Sequence, residues 1–223
     1  MDQTAADQLL PRAQGKDVQA MSRGDGQVLR VAQLDGERKQ LVGALLLVRY
    51  CGWHRDPKFQ QWFGQARDAL AHATSAARGI LRGESVDWEE VRSELDEALE
   101  SCDPDGPPFE AEIADHLVFA TEVLDFLGAP DDTEVIAHLL ERADELAEAH
   151  DEMSREELPT GHELASTDFL DHEARAREAD SAAEFDRQAA LERSEEFADL
   201  YARVIGESYS NEDAAMMEPG STI

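Results

Sequence analysis

The apolar positions of this chain recur at three- and four-residue intervals almost from end to end, the period of helices that bury one face. Asp35 stands where a helix cap belongs, and the run GERKQLVGALLLVRYCGW that follows is apolar nearly all round through its middle. That pattern predicts a helix buried on most sides at the centre of the fold. Asp56 caps and Pro57 opens a second helix, in which Phe59, Phe63, Ala66, Leu70, Ala73, Ala77 and Ile80 share a stripe and Gly83 ends the run. Asp87 caps a third, acid-faced helix with Trp88, Val91, Leu95 and Leu99 on its inner side. After the turn DPDGPP at 103–108, the segment EIADHLVFATEVLDFLG at 112–128 forms a fourth, closed by Gly128. The next spans Thr133 to about Met153, with Val135, Leu139, Ala143 and Leu146 inward.

A break at SREELPTGHELAS leads into a charged helical pattern from Thr167 to about Ile205. Phe169, Ala176, Ala183, Ala190, Phe197 and Val204 recur there every seven residues, but their partner positions are largely polar, so the pattern gives one or two helices whose middle is only lightly buried rather than a coiled coil. There is no alternating strand pattern, no Asn-Gly hairpin and no βαβ rhythm. The fold class that follows is all-α: a single-domain helical bundle of six or seven helices over residues 31–211. Residues 1–30, aperiodic and rich in turn chemistry, read as a flexible leader, and residues 212–223 as a flexible tail.

With 223 residues the chain can bury a continuous core without disulfides or metal, and nothing in it calls for a cofactor. The most apolar run, LVGALLLV at 41–48, is far shorter than the roughly 20 residues a membrane helix needs. The first residues lack a secretory signal and only Cys51 and Cys102 are cysteines, so the expected compartment is the cytoplasm.

Charge sharpens the picture. The net charge is −30, from 50 acids and 20 bases. Residues 1–82 carry 12 bases against 8 acids and residues 83–223 carry 8 against 42, giving +4 and −34. Such a surplus repels nucleic acid and anionic membranes. It serves either as a solvating surface or as a docking face for a basic protein partner, as in an adaptor, an inhibitor or an immunity-type protein. The two signs can also meet inside the bundle, which consumes part of the asymmetry.

Glu112 and His116 are the candidate metal residues. On a helical wheel His116 shares the arc of Ile113, Leu117, Ala120, Leu124 and Leu127, while Glu112 lies at its border in the first turn. The pair serves either as two ligands of a carboxylate-histidine site completed by other helices, or as a hydrogen-bonded core histidine and a helix-terminal acid. Glu134 with His138 and Asp168 with His172 share the spacing, but His138 falls on a polar face, and the Glu-x-x-His pattern of di-metal bundles is absent. Phosphate loops, Gly-x-Ser-x-Gly, Cys-x-x-Cys and His-Glu-x-x-His are absent too, which points away from catalysis. Cys51 near His54 has a nucleophile reading and a buried-hydrophobe reading. Trp53, Phe59, Trp62 and Phe63 among Arg49, Arg55, Lys58 and Arg67 serve as a basic aromatic face or as core. The alanine-rich stripe 176–190 suggests a homodimer if the chain itself does not cover it.

The order of elements resembles the YjaG-like family of small all-helical bacterial proteins of unassigned function. The resemblance runs through LVGALLLVRYCGWH, VRSELDEALES, IADHLVFATEVLDFL, DEMSREEL, EFDRQ and GESYSN, over roughly residues 31–211. This chain has a longer leader and an extended segment between Leu158 and Ala183. The resemblance implies a compact helical fold and supplies no catalytic residue.

Overall fold

The computed structural model describes Gly26 and residues 28–55, 63–103, 110–158 and 161–208. Most of the expected leader and all of the expected tail lie outside the described residues. So do the Asp56 cap, Pro57, Lys58, Phe59, Trp62, the prolines of DPDGPP and the side chains of Trp53 and His54. The described chain is all-α: α1 (Gly36–Tyr50), α2 (Gly64–Arg82), α3 (Trp88–Ser101), α4 (Glu110–Gly128), α5 (Thr133–Glu157), α6 (Phe169–Asp180) and α7 (Arg187–Ser208), with 3-10 turns at Gly52–Arg55 and Glu163–Ser166.

Caps set the starts of these helices. Asp35 accepts the Arg38 amide, Asp87 those of Glu89 and Glu90, and Asp132 those of Glu134 and Val135, each removing donors that the first turn leaves unpaired. Gly83 ends α2 at φ +78°, a left-handed conformation that a side chain disfavours.

From Leu41 to Tyr50 every residue of α1 is buried, because α2, α4 and α7 surround it. Gly43 allows the approach of α4: a Cβ there lies 3.1 Å from Leu127 and from Phe126. At Gly52 a Cβ meets the Cβ and carbonyl oxygen of Ala198 in α7 at 2.9 Å. The second layer forms as α3 packs on α2 and α4, and α6 on α5 and α7.

One expectation is corrected. Val135 is 36% exposed, and its neighbour Ile136 is buried in its place. The stripe therefore runs through Ile136, Leu139, Leu140, Ala143, Leu146, Ala147 and His150, one position later at its start. The run 167–205 forms two helices with a lightly buried middle, as its pattern allows. Ala183 is exposed in the connection between α6 and α7, while Phe169, Ala176, Ala190, Phe197 and Val204 are buried.

Candidate functional site

The core contains more charge than its apolar helices suggest. In α6 the positions Phe169, Glu173, Ala176, Arg177 and Asp180 face inward together, so a helical stripe that ordinarily holds only apolar residues carries three charges. Arg49 reaches them from α1. Its guanidinium donates to both oxygens of Glu173, at 3.1 and 3.3 Å, and to Asp180. Arg177 donates to Asp144 at 2.7 Å, to the Leu140 carbonyl at 3.2 Å and to Glu173 at 3.4 Å. The Tyr50 hydroxyl lies 3.2 Å from Glu173 and 3.0 Å from the Ala143 carbonyl, and Arg193 closes the network on Asp180 at 3.1 Å.

Glu173 and Asp180 are completely buried, and Arg49 and Arg177 are 0% and 1% exposed. Burial acts to lower the pKa of each guanidinium, but Asp180 and Glu173 at Arg49, and Glu173 and Asp144 at Arg177, outweigh it and the net shift is upward. Two cations and two anions balance in the buried interior, which is the condition under which such a cluster is tolerated. The network anchors α6 to α1 and α5, and its charges are spent on one another.

A second polar group lies where α4, α5 and α7 meet. The Nδ1 of His116 is 2.5 Å from the main-chain oxygen of Glu112, which only accepts, so this nitrogen carries the proton. The Nε2 of the neutral ring is then an acceptor and takes the Tyr201 hydroxyl at 2.8 Å. His150 donates from Nε2 to the Tyr201 main-chain oxygen at 2.8 Å. Its ring stacks on Tyr201 at 3.5 Å between centroids and meets Phe169 edge-on at 4.8 Å. Burial lowers both imidazoles below the usual histidine range, His116 to about 4 and His150 to about 3, against the opposing hydrogen bonds to Glu112 and Tyr201. Beside them lies a cavity of about 40 Å³ lined in part by Glu112, Asp115, His116, His150, Met153 and Tyr201.

His116 is thus inward, and Glu112 half-buried at the border of the stripe. They are joined through the Glu112 main chain, and both ring nitrogens of His116 are engaged. Among the described residues no three His, Cys, Asp or Glu side chains converge closely enough to hold a metal ion. His138 and His172 are exposed, and Asp168 caps α6 by accepting from Asp171.

Cys51 is fully buried and burial pushes its thiol up to about 12, the opposite of nucleophile activation. The described members of the basic aromatic set are dispersed: Arg49 is in the buried network, Arg55 pairs with Glu195 and Asp199, Arg67 pairs with Asp68, and Phe63 is core.

His150, Tyr201 and the charges of α6 are the residues that pattern reasoning passes over. The available signal is spacing: Glu173 and Asp180 sit four positions after Phe169 and Ala176 respectively, on the same face. Comparison with known proteins returned no matching family model, no matching curated protein and no matching solved structure.

Proposed function

We propose that this chain is a non-catalytic protein-interaction module, of adaptor, inhibitor or immunity type, that docks a basic partner through its acidic C-terminal two-thirds in the cytoplasm. One observation carries the reading. Glu134, Glu141, Glu148 and Glu152 form a single exposed stripe along α5, at seven- and four-residue steps, and none has an ion-pair partner among the described residues.

The described bases do not reach this stripe. Every described arginine already engages a carboxylate or a main-chain carbonyl. The basic first third is clasped to α6 and α7 in this way: Arg49 by Glu173 and Asp180, Arg55 and Arg78 by Glu195, and Arg38 by the Asp180 carbonyl. What remains outward is a row of uncompensated carboxylates, the surface that complements a basic protein.

The metal reading of Glu112 and His116 gains no observation of its own from this geometry. Within the stripe 176–190 behind the homodimer reading, Ala176 and Ala190 are buried by the chain itself and Ala182 and Ala183 are exposed. Membership of the YjaG-like family stays a proposal resting on the strings that suggested it.

The test is affinity capture from the source organism's lysate at low and moderate salt, with bound protein and nucleic acid both identified. The expected result is one basic protein in near-equal amount, released by moderate salt and not retained at low salt by the combined Glu141→Gln, Glu148→Gln and Glu152→Gln variant. Retention indifferent to salt and to the variant overturns the reading, as does the absence of a specific partner.

A further inference from the structure

The cavity between α4, α5 and α7 has three kinds of wall. At its mouth stand Glu112, half-buried, and Asp115, exposed, one turn apart on α4 and without an ion-pair partner among the described residues. Its sides are the apolar Leu146, Ala149 and Met153. Behind them is His150, 2% exposed, whose Nε2 is committed to the Tyr201 carbonyl and whose Nδ1 has no hydrogen-bond partner among the described residues. Because the ring donates from Nε2 and is neutral, Nδ1 offers a lone pair. Nδ1 is not enclosed in the core, so a donor seated in the cavity can reach its lone pair. The volume of about 40 Å³ accommodates roughly three water-sized groups.

We propose that this cavity receives a primary ammonium group, the tip of a lysine side chain on the basic partner, an assignment that rests on the interaction reading above. The compact ammonium has three donors, which match His150 Nδ1 and the carboxylates of Glu112 and Asp115. The methylenes behind it lie against Leu146, Ala149 and Met153, as lysine stems commonly lie on apolar surface. A guanidinium fits less well, since it is a planar fork with five donors and the cavity offers one deep acceptor. A divalent ion is disfavoured because no three metal-type ligands converge among the described residues.

The test uses the full chain with nitrogen-labelled histidine at neutral pH, titrated with n-butylammonium, with n-butanol and n-butylguanidinium as controls. A saturable shift at His150 Nδ1 with n-butylammonium alone, and not at the exposed His138 and His172, is the expected result. The Glu112→Gln/Asp115→Asn double variant, whose changes lie at the mouth, is expected to bind n-butylammonium roughly tenfold more weakly while its circular dichroism is unchanged. A shift shared by all histidines and linear in amine overturns the proposal, as does an equal response to n-butanol. If lysate capture yields a basic partner while n-butylammonium fails to saturate, the lysine pocket falls and the interaction reading stands. Saturation without any basic partner overturns the interaction reading, and with it the assignment of the amine to a partner's lysine.

Discussion

Arg49 of α1 and Asp180 at the end of α6, 131 residues apart in sequence, meet as an ion pair with side chains only 1% and 0% exposed. Their union with Glu173 and Arg177 ties α1 to α6 and α5 through the interior. Replacing one member strands the opposite charge in the interior. Arg49→Met is therefore expected to cost about 3–5 kcal/mol of unfolding free energy in urea. Adding Glu173→Gln and Asp180→Asn to it is expected to recover part of that loss. A single variant as stable as the parent contradicts the role of the network.

The two core histidines make stability pH-dependent with a definite sign. Each has an ordinary value of 6.5, and in the folded chain His116 lies at about 4 and His150 at about 3. Between those values the unfolded state binds more protons. The contribution is complete above pH 6.5 and is lost as pH falls toward 4 and 3, at up to about 1.4 kcal/mol per pH unit for each ring. Asp144 and Asp151, raised chiefly by burial, act in the opposite direction. Urea unfolding from pH 7 to 5 is expected to show a shallower slope in the His116→Gln/His150→Phe variant than in the parent. Equal slopes contradict the assignment.

Gly52 is a packing glycine. Its Cβ position is 2.9 Å from both the Cβ and the carbonyl oxygen of Ala198, and one of those is backbone that yields only if α7 moves. Gly52→Ala is expected to destabilise the bundle by about 1–3 kcal/mol, read as a lower Tm. The alanine gain usual at unstrained glycines, about 0.4–1 kcal/mol, is the contrary result.

Much of this architecture is written locally. Asp35 and Asp87 cap where their positions predict, Gly83 stops α2, and His116 faces inward as the wheel places it. Local pattern fails where the partner is remote. Glu173, Arg177 and Asp180 read as a solvated face because hydropathy assigns charge to water, and their burial is made tolerable by remote partners, Arg49, 124 residues from Glu173, and Asp144, 33 residues from Arg177. Asp151 is a comparable case. It reads as one more acid of α5, yet it is 2% exposed and accepts the amides of Phe169 and Leu170, satisfying the start of α6 from another helix. The cavity is similarly hidden, since His150 and Tyr201 come together only when α5 and α7 pack.

The described arginines are spent on the chain's own carboxylates and carbonyls, and the unpaired Glu134, Glu141, Glu148 and Glu152 face outward. The salt dependence of folding stability tests this most directly, because screening weakens repulsion among exposed carboxylates while leaving the buried pairs nearly untouched. From about 0.01 M to about 0.15 M sodium chloride the screening length falls from about 30 Å to about 8 Å. Over that range the unfolding free energy in urea is expected to rise, and a fall is the result that contradicts the account, since it places the stabilising ion pairs at the solvated surface and the surplus within their reach.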